Sequence, residues 1–256
     1  MDGYATADQV WGAALVFARL GAILMLLPGI GEAYVPPRIR LSLALLITLV
    51  VWPLAAPVLP TLPESIGGMA GWVIREVATG LMIGAILRAF MTALAAAGEV
   101  VSLQTTLSFA QSANPLQAQS GSTVGAFLGL LGVTLLFATN THHLFIAGMA
   151  GSYELIAPVR PLITADFATL AVRTLADSFM LGIQLAAPVI VFAIIFNLAS
   201  GLVGRVMPQF QVFFATAPLS ILLGLSIFTL SLGVVGTIFI DRYRSLAQIF
   251  AGGAGG

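Results

Sequence analysis

Apolar residues dominate the chain in long runs that are separated by short polar or proline-containing segments. The runs cover residues 10–28, 41–59, 67–98, 123–139, 143–158, 168–203 and 209–240. A membrane-spanning helix needs about 20 consecutive apolar residues, so each of the first two runs predicts one crossing. The pattern therefore predicts an all-α integral membrane protein with about six long apolar helices or helical hairpins.

Three of the runs, 67–98, 168–203 and 209–240, are longer than one perpendicular crossing requires. Two explanations fit the excess length. The runs are tilted or kinked helices, which Pro188 and Pro218 would allow, or they are helical hairpins whose apolar faces are covered by protein rather than by lipid. The pattern of hydrophobicity does not choose between these explanations.

Composition supports a membrane protein and argues against several functional classes. Hydrophobic residues make up 59% of the chain and charged residues 8%, whereas a soluble domain carries about 25% charged residues. The net charge of zero argues against a nucleic-acid-binding protein. The absence of cysteine excludes disulfides and Cys-ligated metal centres. No phosphate loop, dinucleotide fingerprint or hydrolase motif occurs, so we expect neither an enzyme nor a cofactor.

The most distinctive segment is polar but uncharged. No Asp, Glu, Lys or Arg occurs between residues 100 and 153, and residues 104–122 are rich in Gln, Ser, Thr and Asn. A loop in a conduit for varied cargo would avoid charge, because fixed charges trap oppositely charged cargo. An ordinary polar loop without a special role has the same composition, so both interpretations remain open.

Charged residues inside apolar runs are costly and are therefore functional candidates. They are Arg19, Arg75, Glu76, Arg88, Glu99 and Asp177. One Asp and two Glu on separate segments do not make a proton relay, so the simpler interpretation is pairing across helices or with partner subunits. The adjacent His142 and His143 point in different directions and lack further ligands nearby, which favours helix-end packing over a metal site.

Glycines at four-residue spacing predict close packing between helices. Gly80 and Gly84 form one Gly-x-x-x-Gly step, and Gly121, Gly125 and Gly129 form two more. This spacing lets backbones approach in lipid, where hydrophobicity cannot drive association. The steps indicate tight packing rather than any particular partner.

Two stretches resemble a known protein family. The first carries the pattern R-x-x-P-Q-x-Q-V-F-F from Arg205 onward, and the second runs from residues 104–110, through an Asn-Pro break, to residues 137–143. Both resemble the FliR family of flagellar type III export-gate subunits, and the resemblance extends along nearly the whole chain in segment order and length. Virulence-type secretion systems have a paralogous subunit, but residues 207–214 are more similar to the flagellar branch.

The resemblance implies a structural subunit that assembles with FliP and FliQ into a protein export channel, with FlhB in contact, in the bacterial inner membrane at the flagellar basal body. It implies a FliP-like portion followed by a FliQ-like hairpin. The turn and partner contacts of that hairpin correspond to Arg205, Pro208, Gln209, Phe213 and Phe214. It also implies that a loop closes the channel, at Gln104, Ser108, Phe109, Gln111, Asn114, Pro115, Leu116 and Gln117.

Residues 1–256 are accordingly predicted to form one export-gate domain. Its parts are N-terminal helices (10–98), a polar plug-like loop (99–122), central helices (123–203), a terminal hairpin arm (204–240) and a tail (241–256). The competing hypothesis from another functional class is a small-solute or ion transporter. Such proteins commonly contain inverted repeats with broken helices, and no clear repeat is visible here.

Overall fold

The computed structural model describes residues 6–112, 122–159, 164–207, 212–250 and 252. Within these ranges all regular secondary structure is helical, so the all-α prediction is confirmed. The helices are α1 (Ala7–Leu26), α2 (Pro37–Ala55), α3 (Ile66–Gln104), α4 (Leu107–Ser112), α5 (Thr123–Ala138), α6 (His142–Leu155), α7 (Thr164–Val206) and α8 (Val212–Phe250), with a 3₁₀ turn at Ala56–Val58.

Local sequence explains where the first helices begin and end. The Thr6 side chain accepts a hydrogen bond from the Gln9 N–H, and the Gln9 side chain accepts one from the Thr6 N–H. This reciprocal capping box satisfies two backbone donors at the start of α1. α2 begins at Pro37, whose fixed φ suits the first helical position. Pro53 lies inside α2, and Pro57 lies in the 3₁₀ turn that follows it, where proline has no N–H to donate to the carbonyl four residues earlier.

Among the described residues, five helices are long and apolar enough to cross a membrane, namely α1, α2 with its 3₁₀ turn, α3, α7 and α8. α5 and α6 together give a sixth candidate if this pair, bent by 76° at a short break, counts as one span. The prediction of about six apolar helices is confirmed. The overlong runs 67–98 and 168–203 each lie in one continuous helix rather than a hairpin, and so does the third run from Val212 onward. α7 and α8 contain Pro188 and Pro218 within their length.

The chain forms two compact units. Unit 1 comprises Met1–Phe90, Leu136–Thr174 and Arg242–Gly256, and unit 2 comprises Met91–Leu135 and Leu175–Asp241. The boundaries fall inside α3, α5, α7 and α8, so each of these helices contributes to both units. Fully buried residues of unit 1 include Leu15, Leu20, Leu24 and Tyr243, and those of unit 2 include Ala93, Leu128, Ala186 and Val189.

Two helices extend beyond the boundaries that the sequence suggests. α3 continues through residues 99–104, in the predicted polar loop, and Val101 is fully buried there. α8 continues through residues 241–250, in the predicted tail. Tyr243, Ala247 and Phe250 recur at helical spacing and are all buried. This apolar face stabilises the helix beyond residue 240, where charged residues suggest that the helix ends.

Candidate functional site

The predicted channel-closing residues lie at the end of α3 and beyond it. Gln104 is the last residue of α3, and Ser108, Phe109 and Gln111 lie on the short helix α4. The Phe109 side chain is 70% exposed. The remaining predicted residues, Asn114, Pro115, Leu116 and Gln117, lie outside the described residues. The structure thus describes how the loop leaves α3 and where α5 starts.

A two-residue turn at Thr105 and Thr106 separates α3 from α4. The Thr106 backbone has a φ of 58°, a left-handed conformation that is strained for a β-branched residue. The Thr106 N–H donates to the Leu103 carbonyl at 3.3 Å, and the Phe109 N–H donates to the Thr106 carbonyl at 3.2 Å. A strained residue at the entrance of a loop is typical of functional hinges.

Glu99 of α3 binds Ser122, the residue at which the chain enters α5. The Ser122 N–H donates to Oε1 of Glu99 at 2.6 Å, and the Ser122 hydroxyl caps α5 by accepting from the Gly125 N–H at 2.9 Å. The carboxylate charge also interacts favourably with the N-terminal end of α5. Glu99 precedes Gln104 by about 8 Å along the helix axis. The loop therefore leaves α3 and returns to the same helix a short distance back.

Backbone contact between α3 and α5 closes the base of this loop. A Cβ atom added to Gly98 would collide with the Cα and N atoms of Gly125, so only glycine permits this approach. At the other end of the loop, the Thr105 side chain packs against Gly224 of α8. Both ends of the loop are thus fixed to helices of unit 2 by contacts that leave little room.

A second pair of glycines brings α1 and α3 together in unit 1. A Cβ on Gly80 would meet the carbonyl oxygen of Arg19, and a Cβ on Gly84 would lie 2.9 Å from the Leu26 Cβ. These two contacts advance in the same direction along both helices, so α1 and α3 run parallel. A Cβ on Gly129 would find no atom of the described chain within 4 Å, and Gly121 lies outside the described residues.

Arg19 and Glu76 form a fully buried ion pair between these parallel helices. Arg19 Nε and Nη2 donate to the two carboxylate oxygens of Glu76 at 2.6 and 3.0 Å, a bidentate geometry that strengthens the pair. Nη1 donates to the carbonyls of Ser152 and Ile156, both at 3.0 Å. The guanidinium carbon also lies 4.2 Å from the Tyr153 ring centroid. Arg19 therefore caps the C-terminal end of α6 while Glu76 neutralises its charge.

The predicted hairpin turn falls between α7 and α8. α7 ends at Val206 and α8 begins at Val212, and Arg205 occupies the last turn of α7, where a cation is favourable. The Phe214 side chain is 73% exposed on the first turn of α8. Phe213 belongs to α8, whereas Pro208 and Gln209 lie outside the described residues.

Comparison with known proteins identifies the family. Residues 10–246 match the family described as bacterial export proteins, family 1. The chain belongs to this family. It is 55% identical over 250 residues to the flagellar biosynthetic protein FliR of Caulobacter vibrioides, covering 98% of this chain and 100% of the relative. It is 31% identical over 240 residues to FliR of Pectobacterium carotovorum, covering 91% and 90% of the two chains. The resemblance to FliR proteins is confirmed.

A relative that does not carry the FliR name is also similar to this chain. The surface presentation of antigens protein SpaR of Salmonella typhimurium is 25% identical over 211 residues, which cover 80% of this chain and 76% of the relative. Family membership and the apolar helices together make the chain a membrane-embedded component of a protein export apparatus.

Other charged residues of this export protein interact more loosely than Arg19. Arg88 Nη2 lies 3.7 Å from Glu32 Oε2, and the two side chains are 45% and 29% exposed, so this pair adds little stability. The Arg75 guanidinium lies 5.5 Å from the Trp72 ring centroid.

Partial burial raises the pKa of Tyr34, in the turn after α1, and the nearby Glu32 carboxylate raises this pKa further.

The two adjacent histidines pack at the start of α6. The His142 ring stacks on Phe137 with centroids 5.2 Å apart, and it contacts the His143 ring at 4.3 Å. In the part of the chain that the structure describes, no three His, Asp or Glu side chains converge on a position that could hold a metal ion.

Sequence reasoning did not single out Gly98, Thr106 or Ser122 at the base of the loop. Ser122 carries a usable signal, because a serine directly before an apolar run is a typical helix N-cap. Gly98 belongs to no glycine repeat, so only the tertiary contact identifies it. Thr106 offers no signal, since threonine has no preference for a left-handed backbone.

Proposed function

We propose that this chain is a structural, non-catalytic subunit of the flagellar type III protein export gate. In this proposal it forms the export channel with FliP and FliQ, contacts FlhB, and resides in the bacterial inner membrane at the flagellar basal body. The observation that carries the proposal is the 55% identity to a FliR protein along essentially the whole length of both chains. The flagellar role is favoured because identity to a flagellar biosynthetic protein reaches 55%, whereas identity to the surface presentation of antigens protein SpaR is 25%.

Apolar surface on the helices of unit 2 supports an assembly role. Leu198 and Leu202 of α7 are each 66% exposed, and Leu230 of α8 is 85% exposed. In the most apolar windows of α7 and α8, only 33% and 17% of residues are buried within this chain. Surface of this kind requires lipid or protein neighbours. A subunit of a multi-protein channel in a membrane has both kinds of neighbour.

Co-purification tests the assembly proposal. The full-length chain is expressed with and without FliP and FliQ, extracted in detergent, and compared for yield, dispersity and co-purifying subunits. A gate subunit is expected to purify with both partners and to be poorly dispersed without them. A monodisperse chain that purifies alone, as a monomer or homo-oligomer, would contradict the proposal and favour the small-solute transporter.

Within that assembly, residues 104–119 are proposed to close the channel. The support is a loop without charged residues. One end of the loop is fixed where the Thr105 side chain packs against Gly224, and the other end is fixed by the hydrogen bond from Ser122 to Glu99 of α3. Apolar side chains such as Phe109 can exclude water from a constriction. Amide and hydroxyl groups can hold a closed arrangement through hydrogen bonds of modest net strength.

Deletion of residues 108–117 tests the channel-closing role. The deleted chain is expected to assemble with its partners but to leave the membrane permeable to ions and small solutes, as measured by membrane potential and growth, with motility reporting export. Deletion of residues 253–256 provides a control of the same kind outside the loop. An assembled gate that shows neither a leak nor altered export would return the segment to an ordinary polar loop.

A further inference from the structure

The C-terminal end of α8 is built into unit 1 rather than extending from it as a tail. Tyr243 is fully buried, and Ala247 and Phe250 are each 2% exposed. Ala247 and Phe250 face Ile23 of α1 and Met149 of α6 across a small apolar cavity. The C-terminal end of α8 therefore completes a core to which α1 also contributes.

Tyr243 joins two other helices of unit 1. Its hydroxyl donates to the Leu87 carbonyl of α3 at 3.3 Å. Its ring makes edge-on contacts with Phe90 of α3 and Phe145 of α6, at centroid separations of 5.6 and 5.8 Å, which is a favourable aromatic geometry. A single side chain from the end of the chain thus connects α3, α6 and α8.

Arg244 binds the break between α5 and α6. The break contains Asn140 with a φ of 57°, so the helical hydrogen bonding stops at Ala138 and resumes at His142. Arg244 Nη2 donates to the Thr139 carbonyl at 2.9 Å, and Nε donates to the Thr141 hydroxyl at 3.2 Å. Broken helices among apolar neighbours persist only where other groups satisfy the freed backbone polar atoms. Arg244 satisfies one such atom, the Thr139 carbonyl, and also binds the Thr141 side chain at the same break.

We propose that residues 242–250 form a C-terminal clasp that closes unit 1, and that Arg244 is the positioning residue that holds the α5–α6 break. The clasp follows every other helical segment of unit 1 in the sequence, whereas the residues that it covers begin at α1. Unit 1 therefore closes only after the unit 2 portion of α8 and residues 242–250 have been made. A chain truncated before the clasp keeps unit 1 open.

The absence of cysteine in the chain makes thiol labelling a direct test. One reporter, Met149→Cys, lies under the clasp in unit 1, and a second, Leu128→Cys, lies in the core of unit 2; both positions are buried. Each reporter is placed separately in the full-length chain, in its native membrane, and the rate of maleimide labelling is measured per amount of chain present.

Termination after Asp241 is expected to raise the labelling rate of Met149→Cys at least roughly tenfold, because it removes every clasp contact. Arg244→Met is expected to raise it several-fold, and Arg244→Lys, which keeps the charge and a donor, by less. Leu128→Cys should remain protected in all of these variants. Arg242→Met, at an exposed position on the same turn, and termination after Phe250 are matched controls that should behave as the unmodified chain.

Two results would overturn the clasp. One is continued protection of Met149→Cys in both the Asp241 truncation and Arg244→Met. The other is equal exposure of both reporters, which would mean general unfolding rather than opening of unit 1. Because the labelling rate measures local protection and not export, its outcome does not depend on whether the proposed gate function is correct.

Discussion

α3 carries two glutamates in contrasting environments, one in each unit. Glu76 is fully buried and receives two hydrogen bonds from Arg19, one turn before the close contact at Gly80. Glu99 is exposed and receives one hydrogen bond from the Ser122 N–H, directly after the close contact at Gly98. The same residue type beside the same kind of glycine contact thus produces a permanent internal pair in one unit and a lighter loop anchor in the other.

The two glutamates differ in how much it costs to break their interactions. If either Arg19 or Glu76 lost its partner, the remaining charge would be buried among apolar groups without compensation. Separating the two side chains is therefore energetically costly. The Glu99 carboxylate makes one such bond at an exposed position, so the bond to Ser122 can break at a lower cost than the buried pair. The Arg19–Glu76 pair is therefore the more permanent contact, although glycine contacts hold the helices closely together in both units.

Breaking the buried pair should have the largest effect. Arg19→Met alone, or Glu76→Leu alone, is expected to lower the free energy of unfolding by about 3–5 kcal/mol, because each leaves one uncompensated buried charge. Thermal unfolding and yield of the detergent-extracted chain measure the loss. The double variant Arg19→Met with Glu76→Leu should recover much of the stability, since it strands no charge. Additive losses in the double variant would show that packing, not charge pairing, is what the single variants disturb.

The sequence predicts most of the fold but few of these pairings. Apolar run length alone gives the helix count and class, because lipid and protein cores demand long apolar segments whatever their partners. The Arg19–Glu76 pair joins positions too distant in sequence for any helical spacing rule, and composition indicates only that such charges need partners. Gly98 shows the same limit, since its significance depends on Gly125 of a neighbouring helix. Thr106 has a conformation that opposes its own local preference, so tertiary contacts must impose it.

The glycine contact at the loop base should give the next largest effect. Gly98→Ala is expected to destabilise unit 2 by about 1–3 kcal/mol, because the added methyl group collides with the Gly125 backbone. Gly129→Ala is the matched control, since its Cβ meets no described atom within 4 Å and alanine favours helix by up to about 1 kcal/mol. Thermal unfolding of both variants should therefore shift in opposite directions. Equal shifts would contradict the close approach of α3 and α5.

The Glu99 anchor should give a smaller and more local effect. Glu99→Leu removes the acceptor of the Ser122 N–H and is expected to cost about 1 kcal/mol at this exposed position. Hydrogen exchange at Ser122 and the first turn of α5 should accelerate, while exchange around Arg19 should not change. Glu99→Gln keeps an uncharged acceptor, so its exchange rate at Ser122 should lie between those of the unmodified chain and Glu99→Leu. Asp177 is an exposed carboxylate on α7 of the same unit, so the control variant Asp177→Asn should leave exchange unaltered. Unchanged exchange at Ser122 in Glu99→Leu would mean that the N-cap alone holds the start of α5.

Relief of backbone strain at Thr106 should give the smallest effect, and one of opposite sign. A left-handed backbone costs a non-glycine residue about 1–2 kcal/mol, and substitution by glycine removes this cost. The greater freedom of glycine in the unfolded chain offsets about 0.5–1 kcal/mol of the stabilisation. Thr106→Gly is therefore expected to stabilise the loop entrance by less than about 1 kcal/mol. Slower hydrogen exchange at Phe109, whose N–H donates to the Thr106 carbonyl, would report this gain. Thr105→Gly is the control: Thr105 is fully buried, its hydroxyl donates to the Val101 carbonyl, and its φ is not positive, so the same substitution one residue earlier should destabilise. If both variants destabilise equally, the conformation at Thr106 stores no strain, and the loop entrance is held by packing alone.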